Sequence, residues 1–260
     1  MIVENDLLKL AEEVAKSAGD FVLKQWDRPF KIYKKGERDI YTQVDIDSQK
    51  KIVEKIHNKF SDHGFLAEEP GLNFQTNRHI TWIIDPIDGS INYSKHRPLF
   101  CISIAVAIET SVVVGVTFDP CRNEMFSAAR GIGFRINGEK MTINWEDRLE
   151  KSAIAFDWGH CDKSREFTRL ALSKINKRVF SIFTLGSASL ALAWVAAGRL
   201  DGYFSYHLDS WDIAAGYLMI AEAGGHVTDC EGKQWNWRSN KNGCLAGGTL
   251  LRQKLERIII

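Results

Sequence analysis

The sequence predicts an α+β protein built from layers of helices and sheets. In the first half, stretches rich in Val, Ile and Phe follow one another with short turns at 99–108, 111–119 and 124–129, which indicates an antiparallel meander. In the second half, short apolar stretches alternate with helical patterns from residue 152 to residue 257, which is typical of α/β layering. A chain of 260 residues can bury a large core, either as one domain or as two closely packed halves.

Two helices are predicted near the start of the chain. Residues 4–26 carry apolar side chains at helical spacing, with acids early and a lysine late. A second helix is predicted from near Thr42 to about Phe60, and it places Asp45 in its first turn, where the helix dipole favours an acid. The polar segment between the helices, residues 33–39, is expected to be mobile.

A short apolar strand is predicted at 64–67 and ends in Glu68 and Glu69. Adjacent residues of a regular strand face opposite ways, so these two acids would not share one environment there. At an irregular strand end, both could approach a metal ion from different sides. A solvated acidic loop is the alternative interpretation.

The segment from Trp82 to Tyr93 combines a buried strand, two acids and a helix start. Pro86 lacks an N–H group and fixes φ, so the strand is expected to end there, and Ser90 is a candidate helix N-cap. Asp85 and Asp88 would then lie at the carboxyl end of a strand, beside a helix N-terminus. Carboxylates suit a hard cation, and a helix N-terminus suits a phosphate. An ordinary strand-turn-helix corner with acidic turn residues is the alternative.

The second half supplies two further helix starts after a polar segment, 139–150, that is expected to join the two halves. Gly186, Ser187 and Ala188 lead into an apolar helix, where a glycine and a hydroxyl suit an anion, although a plain serine cap explains the same pattern. Asp212 lies in the first turn of another helix. The strands predicted in this half are 152–156, 179–183, 201–206 and 225–228, and the helices are 163–176, 187–197, 211–223 and 249–257.

The composition disfavours several classes of protein. Lys and Arg number 34 against 33 Asp and Glu, so no overall charge attracts the chain to nucleic acid or to an anionic membrane. No apolar run approaches the roughly 20 residues that span a bilayer, and the acidic N-terminal segment lacks the layout of a signal peptide. The five scattered cysteines form no Cys-x-x-Cys pair and are interpreted as buried free thiols of a cytoplasmic protein.

Six acids stand at the predicted ends of strands or starts of helices, and no histidine or cysteine has the spacing of a metal site. An oxygen-only ligand set favours Mg²⁺ or Mn²⁺ over zinc. If the acids cluster, they require cations, because nearby carboxylates repel one another and resist ionisation. The six are Asp45, Glu68, Glu69, Asp85, Asp88 and Asp212.

Four motifs resemble those of the inositol monophosphatase family. Trp82–Tyr93 is similar to the first signature of that family and Trp211–Gly225 to the second. The shorter motifs Ala67–Glu69 and Asp39–Asp45 occur in the same order and at similar spacing. The resemblance covers nearly the whole chain, so it implies a single domain, 1–260, with a metal-binding α+β half at about 1–140 and an α/β half at about 141–260. It also implies a layered αβαβα sandwich of the type shared with fructose-1,6-bisphosphatase.

The resemblance further implies a homodimeric hydrolase of small phosphate monoesters that uses two or three Mg²⁺ ions per site, with Mn²⁺ as an alternative. It places Lys34 in a mobile loop that closes over the metals. The implied metal ligands are Glu68, Asp85, the carbonyl of Ile87, Asp88 and Asp212. The residues implied to hold or activate the attacking water are Glu69, Asp45 and Ser90. The implied substrate contacts are Glu68, Asp88, Gly89, Ser90, Gly186, Ser187, Ala188, Ser205 and Asp212.

Two departures from the family pattern leave the substrate open. Ser90 stands where threonine is usual, and it keeps the hydroxyl. Ser205 stands seven residues before Asp212, where inositol-selective members tend to carry a glutamate, although Asp209 is a possible substitute. The expected partner is therefore a small phosphorylated polyol or sugar.

Inositol monophosphate is the first expected substrate, with fructose 1,6-bisphosphate and histidinol phosphate as alternatives and adenosine 3′,5′-bisphosphate less favoured. A different class remains open, a regulatory binding protein with a vestigial site. Every implied ligand position holds a suitable group, which favours the enzyme. Neither a nucleic acid nor a membrane is an expected partner.

Overall fold

The computed structural model describes residues 2–70, 78–238 and 243–260, with side chains described from residue 4 onward. The helices are α1 (Ile2–Trp26), α2 (Gln43–Lys59), α3 (Ser90–Ser94), α4 (Asp162–Ile175), α5 (Ala188–Ala196), α6 (Ser210–Glu222) and α7 (Thr249–Ile259), with one 3₁₀ turn at Leu149–Lys151. None of the helices in these ranges combines the length and the apolar character needed to cross a bilayer.

The described strands form two large sheets and one hairpin. The hairpin pairs β1 (Ile32–Lys34) with β2 (Ile40–Thr42). A seven-stranded sheet has the order in which its strands occur: β3 (Gly64–Ala67), β4 (Ile80–Asp88), β5 (Cys101–Ile108), β6 (Ser111–Asp119), β7 (Glu124–Ala129), β8 (Gly133–Ile136) and β9 (Glu139–Lys140). A five-stranded sheet has the order β11-β10-β12-β14-β13, formed by β10 (Ala153–Phe156), β11 (Ser181–Phe183), β12 (Gly202–Ser205), β13 (His226–Thr228) and β14 (Cys244–Gly247).

Three hydrophobic clusters join these elements into five layers. The apolar faces of α1 and α2 pack on one side of the seven-stranded sheet. The other side packs on α5 and α6, whose Ala- and Leu-rich surfaces also contact the five-stranded sheet. The outer face of the five-stranded sheet is covered by α4 and α7. Because α5 and α6 are covered by sheets, both are apolar nearly all round. The predicted α+β layered sandwich is confirmed.

Most predicted elements occur within two residues of their expected bounds, but the turn before α3 differs. Strand β4 continues through Pro86 to Asp88, because a register shift against β5 between Asp85 and Asp88 relieves the proline of a ladder hydrogen bond. Gly89, with φ of 99°, is the N-cap of α3, so the prediction that Ser90 caps this helix is wrong. A Cβ at Gly89 would lie 2.9 Å from the carbonyl oxygen of Leu99.

Two other predictions concern the segment between the first two helices and the cysteines. The polar segment predicted as mobile forms the end of the β1–β2 hairpin, in which Tyr33 pairs with Tyr41 and Lys34 with Ile40. The cysteines are free, as expected, but they are not all buried: Cys121 is half-buried and Cys161 is exposed. Cys161 stands out. It is the residue before α4, where the chain lies at the surface.

Candidate functional site

Three aspartates from two distant parts of the chain form an acidic triad. Asp85 and Asp88 lie at the end of β4, and Asp212 lies in the first turn of α6. One carboxylate oxygen of each lies within 4.8 Å of those of the other two. Asp85 and Asp88 are buried and Asp212 is half-buried. The triad is the one cluster of His, Cys, Asp or Glu side chains with metal-binding geometry in the part of the chain that the structure describes.

The irregular end of β4 and the start of α5 orient the first two carboxylates. The N–H of Ile87 donates to Asp85 Oδ1 at 3.0 Å, within the β4 bulge. Asp88 Oδ2 accepts from Ser187 Oγ at 2.7 Å and from the Ser189 N–H at 2.5 Å. The anion held at the predicted anion site, the N-terminus of α5, is therefore the carboxylate of Asp88. This contact also ties the two halves of the chain together.

The start of α6 fixes Asp212. Asp209 is the N-cap, and its N–H donates to Asp212 Oδ2 at 2.7 Å. Ser189 Oγ donates to the carbonyl oxygen of Asp212 at 2.9 Å, and Ser103 Oγ donates to that of Trp211 at 3.2 Å. Hydrogen bonds from α5 and β5 therefore set where this helix begins, beside the bulge of β4.

A second acidic group connects α2 with α3. Asp45 is fully buried, and its Oδ2 accepts from the N–H and the hydroxyl of Thr42, the N-cap of α2. Its Oδ1 lies 2.5 Å from Ser90 Oγ, which is also 3.0 Å from the carbonyl oxygen of Ile87. The single hydroxyl proton of Ser90 can therefore be donated either to the buried carboxylate of Asp45 or to the carbonyl oxygen of Ile87 in the β4 bulge.

A third group consists of Glu68, Glu69 and a lysine that the sequence had not identified. Gln49 of α2 fixes the backbone of Glu69 through two hydrogen bonds of 2.7 and 2.8 Å. Lys35 Nζ lies 2.6 Å from Glu68 Oε1 and 2.7 Å from Glu69 Oε1. Lys34 lies in β1 and is exposed, so its neighbour Lys35 is the lysine that reaches the acids. Glu69 Oε2 is buried without a hydrogen-bond partner.

Burial makes the acids of this site difficult to ionise together. Burial, followed by the charge of Glu68, raises the pKa of Asp85 well above its usual range. Burial and the charge of Asp88 do the same to the pKa of Asp212. Burial raises the pKa of Asp45 to about 6 and that of Glu69 to about 8. A cation at this site would favour the ionised forms, and a set of oxygen ligands fits a hard divalent cation.

The chain matches the model of the inositol monophosphatase family over residues 4–259. It belongs to that family.

Similar proteins carry two kinds of name, SuhB and IMPase. "Nus factor SuhB" of Salmonella typhimurium is 36% identical over 235 residues, covering 87% of this chain and 86% of the relative. "Nus factor SuhB" of Haemophilus influenzae is 34% identical over 259 residues, covering 98% and 96%. The structure of the extragenic suppressor protein suhB from Bartonella henselae has a TM-score of 0.92 at 33% identity, covering 98% of both chains. An IMPase from Thermotoga maritima has a TM-score of 0.89 at 33% identity, covering 98% of this chain and 96% of that one.

Most residues that the inositol monophosphatase motifs single out surround one cavity of about 500 Å³. Asp45 and Glu69 lie buried next to it, through their contacts with Ser90 and Lys35. Ser187 is connected to it through Asp88. The cavity is lined by Glu68, Asp85, Ile87, Asp88, Gly89, Ser90, Gly186, Ala188 and Asp212.

Ser205 lies outside this set. It is fully buried in β12, its hydroxyl oxygen has no hydrogen-bond partner, and it does not line the cavity. Asp209 does line the cavity. Asp209, the possible substitute for the missing glutamate, is therefore at the cavity, whereas the serine in the place of that glutamate is not.

Sequence reasoning missed Asp157 as well as Lys35. Asp157 directly follows β10, lines the cavity and accepts from Tyr203 OH at 2.7 Å and from the Gly186 N–H at 3.1 Å. Burial raises its pKa to about 6. The available signal was an acid at the carboxyl end of a strand, the same signal that identified Asp85.

Proposed function

We propose that this protein is a Mg²⁺-dependent phosphatase that hydrolyses a small phosphate monoester of a polyol or sugar. The observation that carries the proposal is the triad of Asp85, Asp88 and Asp212, whose carboxylate oxygens converge within 4.8 Å in a cavity large enough for such a substrate. Membership of the inositol monophosphatase family supports the same reaction class.

The residues present fit magnesium. The side chains of the triad are carboxylates, and the raised pKa values of Asp85 and Asp212 indicate a site that needs positive charge. When bound, Mg²⁺ or Mn²⁺ would neutralise these acids and stabilise negative charge on the phosphate. The groups that would hold two or three ions are Glu68, Asp85, the carbonyl of Ile87, Asp88 and Asp212.

The remaining residues would accept and donate the protons of the reaction. During hydrolysis, a new bond forms between phosphorus and the oxygen of water, and the bond from phosphorus to the ester oxygen breaks. The ester oxygen leaves as an alcohol that carries one of the two protons of that water. The water proton can pass to Ser90 Oγ while Ser90 donates its own proton to Asp45 Oδ1, 2.5 Å away. Glu69 Oε2, buried without a partner, is a second acceptor for a proton of that water. No covalent phosphoenzyme is needed, and trapping one would contradict this mechanism.

A panel of esters tests the proposal. Release of inorganic phosphate would be measured from inositol 1-phosphate, fructose 1,6-bisphosphate and histidinol phosphate, with Mg²⁺ and with a chelator. We expect Mg²⁺-dependent release from at least one ester. No release from any of them would contradict the proposed activity.

We further infer a cytoplasmic homodimer, for which light scattering should give twice the mass of the 29.5 kDa chain.

A regulatory role is the second candidate, favoured by the curated relatives named "Nus factor SuhB". In that case, the site could be dispensable to the cell. The discriminating variant is Asp85→Asn, tested in a strain whose phenotype depends on this gene. A variant that keeps the wild-type phenotype but has lost hydrolysis would favour the regulatory role. A variant that has lost both would favour the phosphatase.

A further inference from the structure

The cavity is lined by one acid, Asp157, to which the proposed hydrolysis gives no role. It directly follows β10 and is half-buried. Its Oδ1 accepts from the Gly186 N–H at 3.1 Å and from Thr184 Oγ1 at 3.3 Å. Its Oδ2 accepts from Tyr203 OH at 2.7 Å. A carboxylate that accepts several hydrogen bonds fixes the groups that donate them, and two of these donors belong to the segment that leads into α5.

The segment before α5 is held from two sides. Gly186 has φ of 68°, a left-handed conformation that glycine adopts without strain but does not hold by itself. Asp157 binds the N–H of this glycine on one side. On the other side, Asn92 Nδ2 donates to the carbonyl oxygens of Leu185 and Gly186 at 2.7 and 3.2 Å. These two side chains therefore set the direction in which the chain enters α5.

The first donors of α5 are used to hold an acid of the triad. A serine at the N-cap ordinarily accepts from an N–H of its own helix. Ser187 is the N-cap of α5 but makes no such bond. Instead, its hydroxyl donates to Asp88 Oδ2 at 2.7 Å, and the Ser189 N–H donates to the same oxygen at 2.5 Å. The orientation of Asp88 thus depends on how the residue directly before the helix, Gly186, is held.

We propose that Asp157 is a positioning residue: by binding the Gly186 N–H, it aligns the start of α5 and through it orients Asp88 for metal binding. This inference rests on the proposed phosphatase function, in which Asp88 is a ligand of Mg²⁺. Asp157 forms no hydrogen bond with the triad in the part of the chain that the structure describes, so its effect passes through the backbone of Gly186 and Ser187. Outer contacts that orient metal ligands typically contribute tenfold or more to metal affinity.

The test measures two properties of the metal-free protein. One is the Kd for Mg²⁺ in calorimetric titration, and the other is the rate of hydrogen exchange at the Ser189 amide. Asp157→Ala should raise both roughly tenfold, because the Gly186 N–H loses its acceptor and the donors to Asp88 are no longer aligned.

Two conservative variants separate the position of the acceptor from its charge. Asp157→Asn keeps an oxygen for the Gly186 N–H, and its amide nitrogen can donate to Tyr203 OH. It should therefore keep both properties close to the wild-type values. Asp157→Glu keeps the charge but adds a methylene, which displaces the acceptor from the Gly186 N–H. It should resemble the alanine variant, and it provides a second test if the alanine variant does not fold.

Asp201→Ala is the matched control. Asp201 is half-buried like Asp157, and its Oδ2 accepts from the Ala153 N–H at 2.7 Å, at the opposite end of β10. It does not line the cavity. Both alanine variants should lower the free energy of unfolding, since each removes the acceptor of a backbone N–H. Only Asp157→Ala should change Mg²⁺ binding and the exchange of Ser189.

The outcomes separate this inference from the function on which it rests. Wild-type Mg²⁺ affinity and Ser189 exchange in Asp157→Ala would overturn the positioning role. Equal losses in Asp201→Ala would also overturn it, and so would recovery by glutamate in place of asparagine. If the wild type releases no phosphate from any ester with Mg²⁺, the proposed function fails, whereas the exchange at Ser189 still tests whether Asp157 aligns α5.

Discussion

Removing the metal should make this protein less stable as the pH rises. The relevant groups are buried acids whose pKa is higher in the folded chain than in the unfolded chain. Burial raises the pKa of Asp45 from 3.8 to about 6 and that of Glu69 from 4.5 to about 8, and the pKa values of Asp85 and Asp212 move in the same direction. Their stabilising contribution is complete below the unfolded pKa and is lost as the pH rises through the folded pKa.

The magnitude can be worked out for Asp45, which is fully buried. A pKa difference of about two units corresponds to about 3 kcal/mol in the free energy of unfolding. Integration over the range from pH 5 to pH 8 assigns roughly half of this, on the order of 1 to 2 kcal/mol, to that interval. Surface carboxylates have already ionised at pH 5, so they contribute little there.

The assay is urea denaturation of the metal-free protein at pH 5 and pH 8, compared with Asp45→Asn. His63 opposes the effect, because burial lowers its pKa, so its contribution to stability rises with pH through the unfolded value near 6.5. Since His63 is present in both proteins, it cancels in the comparison. The fall in unfolding free energy from pH 5 to pH 8 should be smaller in Asp45→Asn by on the order of 1 to 2 kcal/mol.

Magnesium provides the second arm of this experiment. Saturating Mg²⁺ should remove most of the fall in stability, because the bound cation favours the ionised acids. An equal fall in wild type and Asp45→Asn would refute the reasoning for Asp45. Failure of Mg²⁺ to stabilise the protein at pH 8 would refute it for the cluster as a whole.

Three further predictions concern single side chains. Ser90→Ala should lower kcat by roughly a hundredfold with folding unchanged, because it removes the proton donor to Asp45, and Ser90→Thr should retain activity. Lys35→Met should bind Mg²⁺ several-fold more tightly in calorimetric titration of the metal-free protein, because the competing cation is gone, whereas Lys34→Met should bind as the wild type does. Gly115→Ala should cost at least about 2 kcal/mol in denaturation experiments, because its Cβ would lie 2.5 Å from a backbone oxygen of α6.

The acidic triad could be located from the sequence because its signals are local. Asp85 and Asp88 follow a recognisable apolar strand, and Asp212 opens a recognisable helix. These positions made the acids candidates, whereas their convergence in one site was implied by the resemblance to the inositol monophosphatase family. The layers themselves were predictable for the same reason, since hydrophobic periodicity marks each element.

The features that were missed depend on contacts between distant residues. Lys34 and Lys35 are adjacent and chemically identical, and only the pairing of β1 with β2 decides which of them reaches the acids. Pro86 was expected to end a strand because it lacks an N–H group. The bulge that accommodates it depends on the register of β4 against β5, which is a contact between distant parts of the chain. The burial of Ser205 likewise depends on its pairing with Cys244 of β14, a strand that the sequence analysis did not predict.

The most direct test of the central claim is a Mg²⁺ titration of the wild type and of Asp85→Asn, with phosphate release and heat of binding measured on the same samples. Asparagine keeps the oxygen that accepts from the N–H of Ile87 at 3.0 Å, so the β4 bulge should be preserved. We predict phosphate release that saturates with Mg²⁺ in the wild type and falls by roughly a thousandfold in the variant, together with weaker Mg²⁺ binding. Phosphate release that is independent of Mg²⁺, or that survives in Asp85→Asn, would contradict the account.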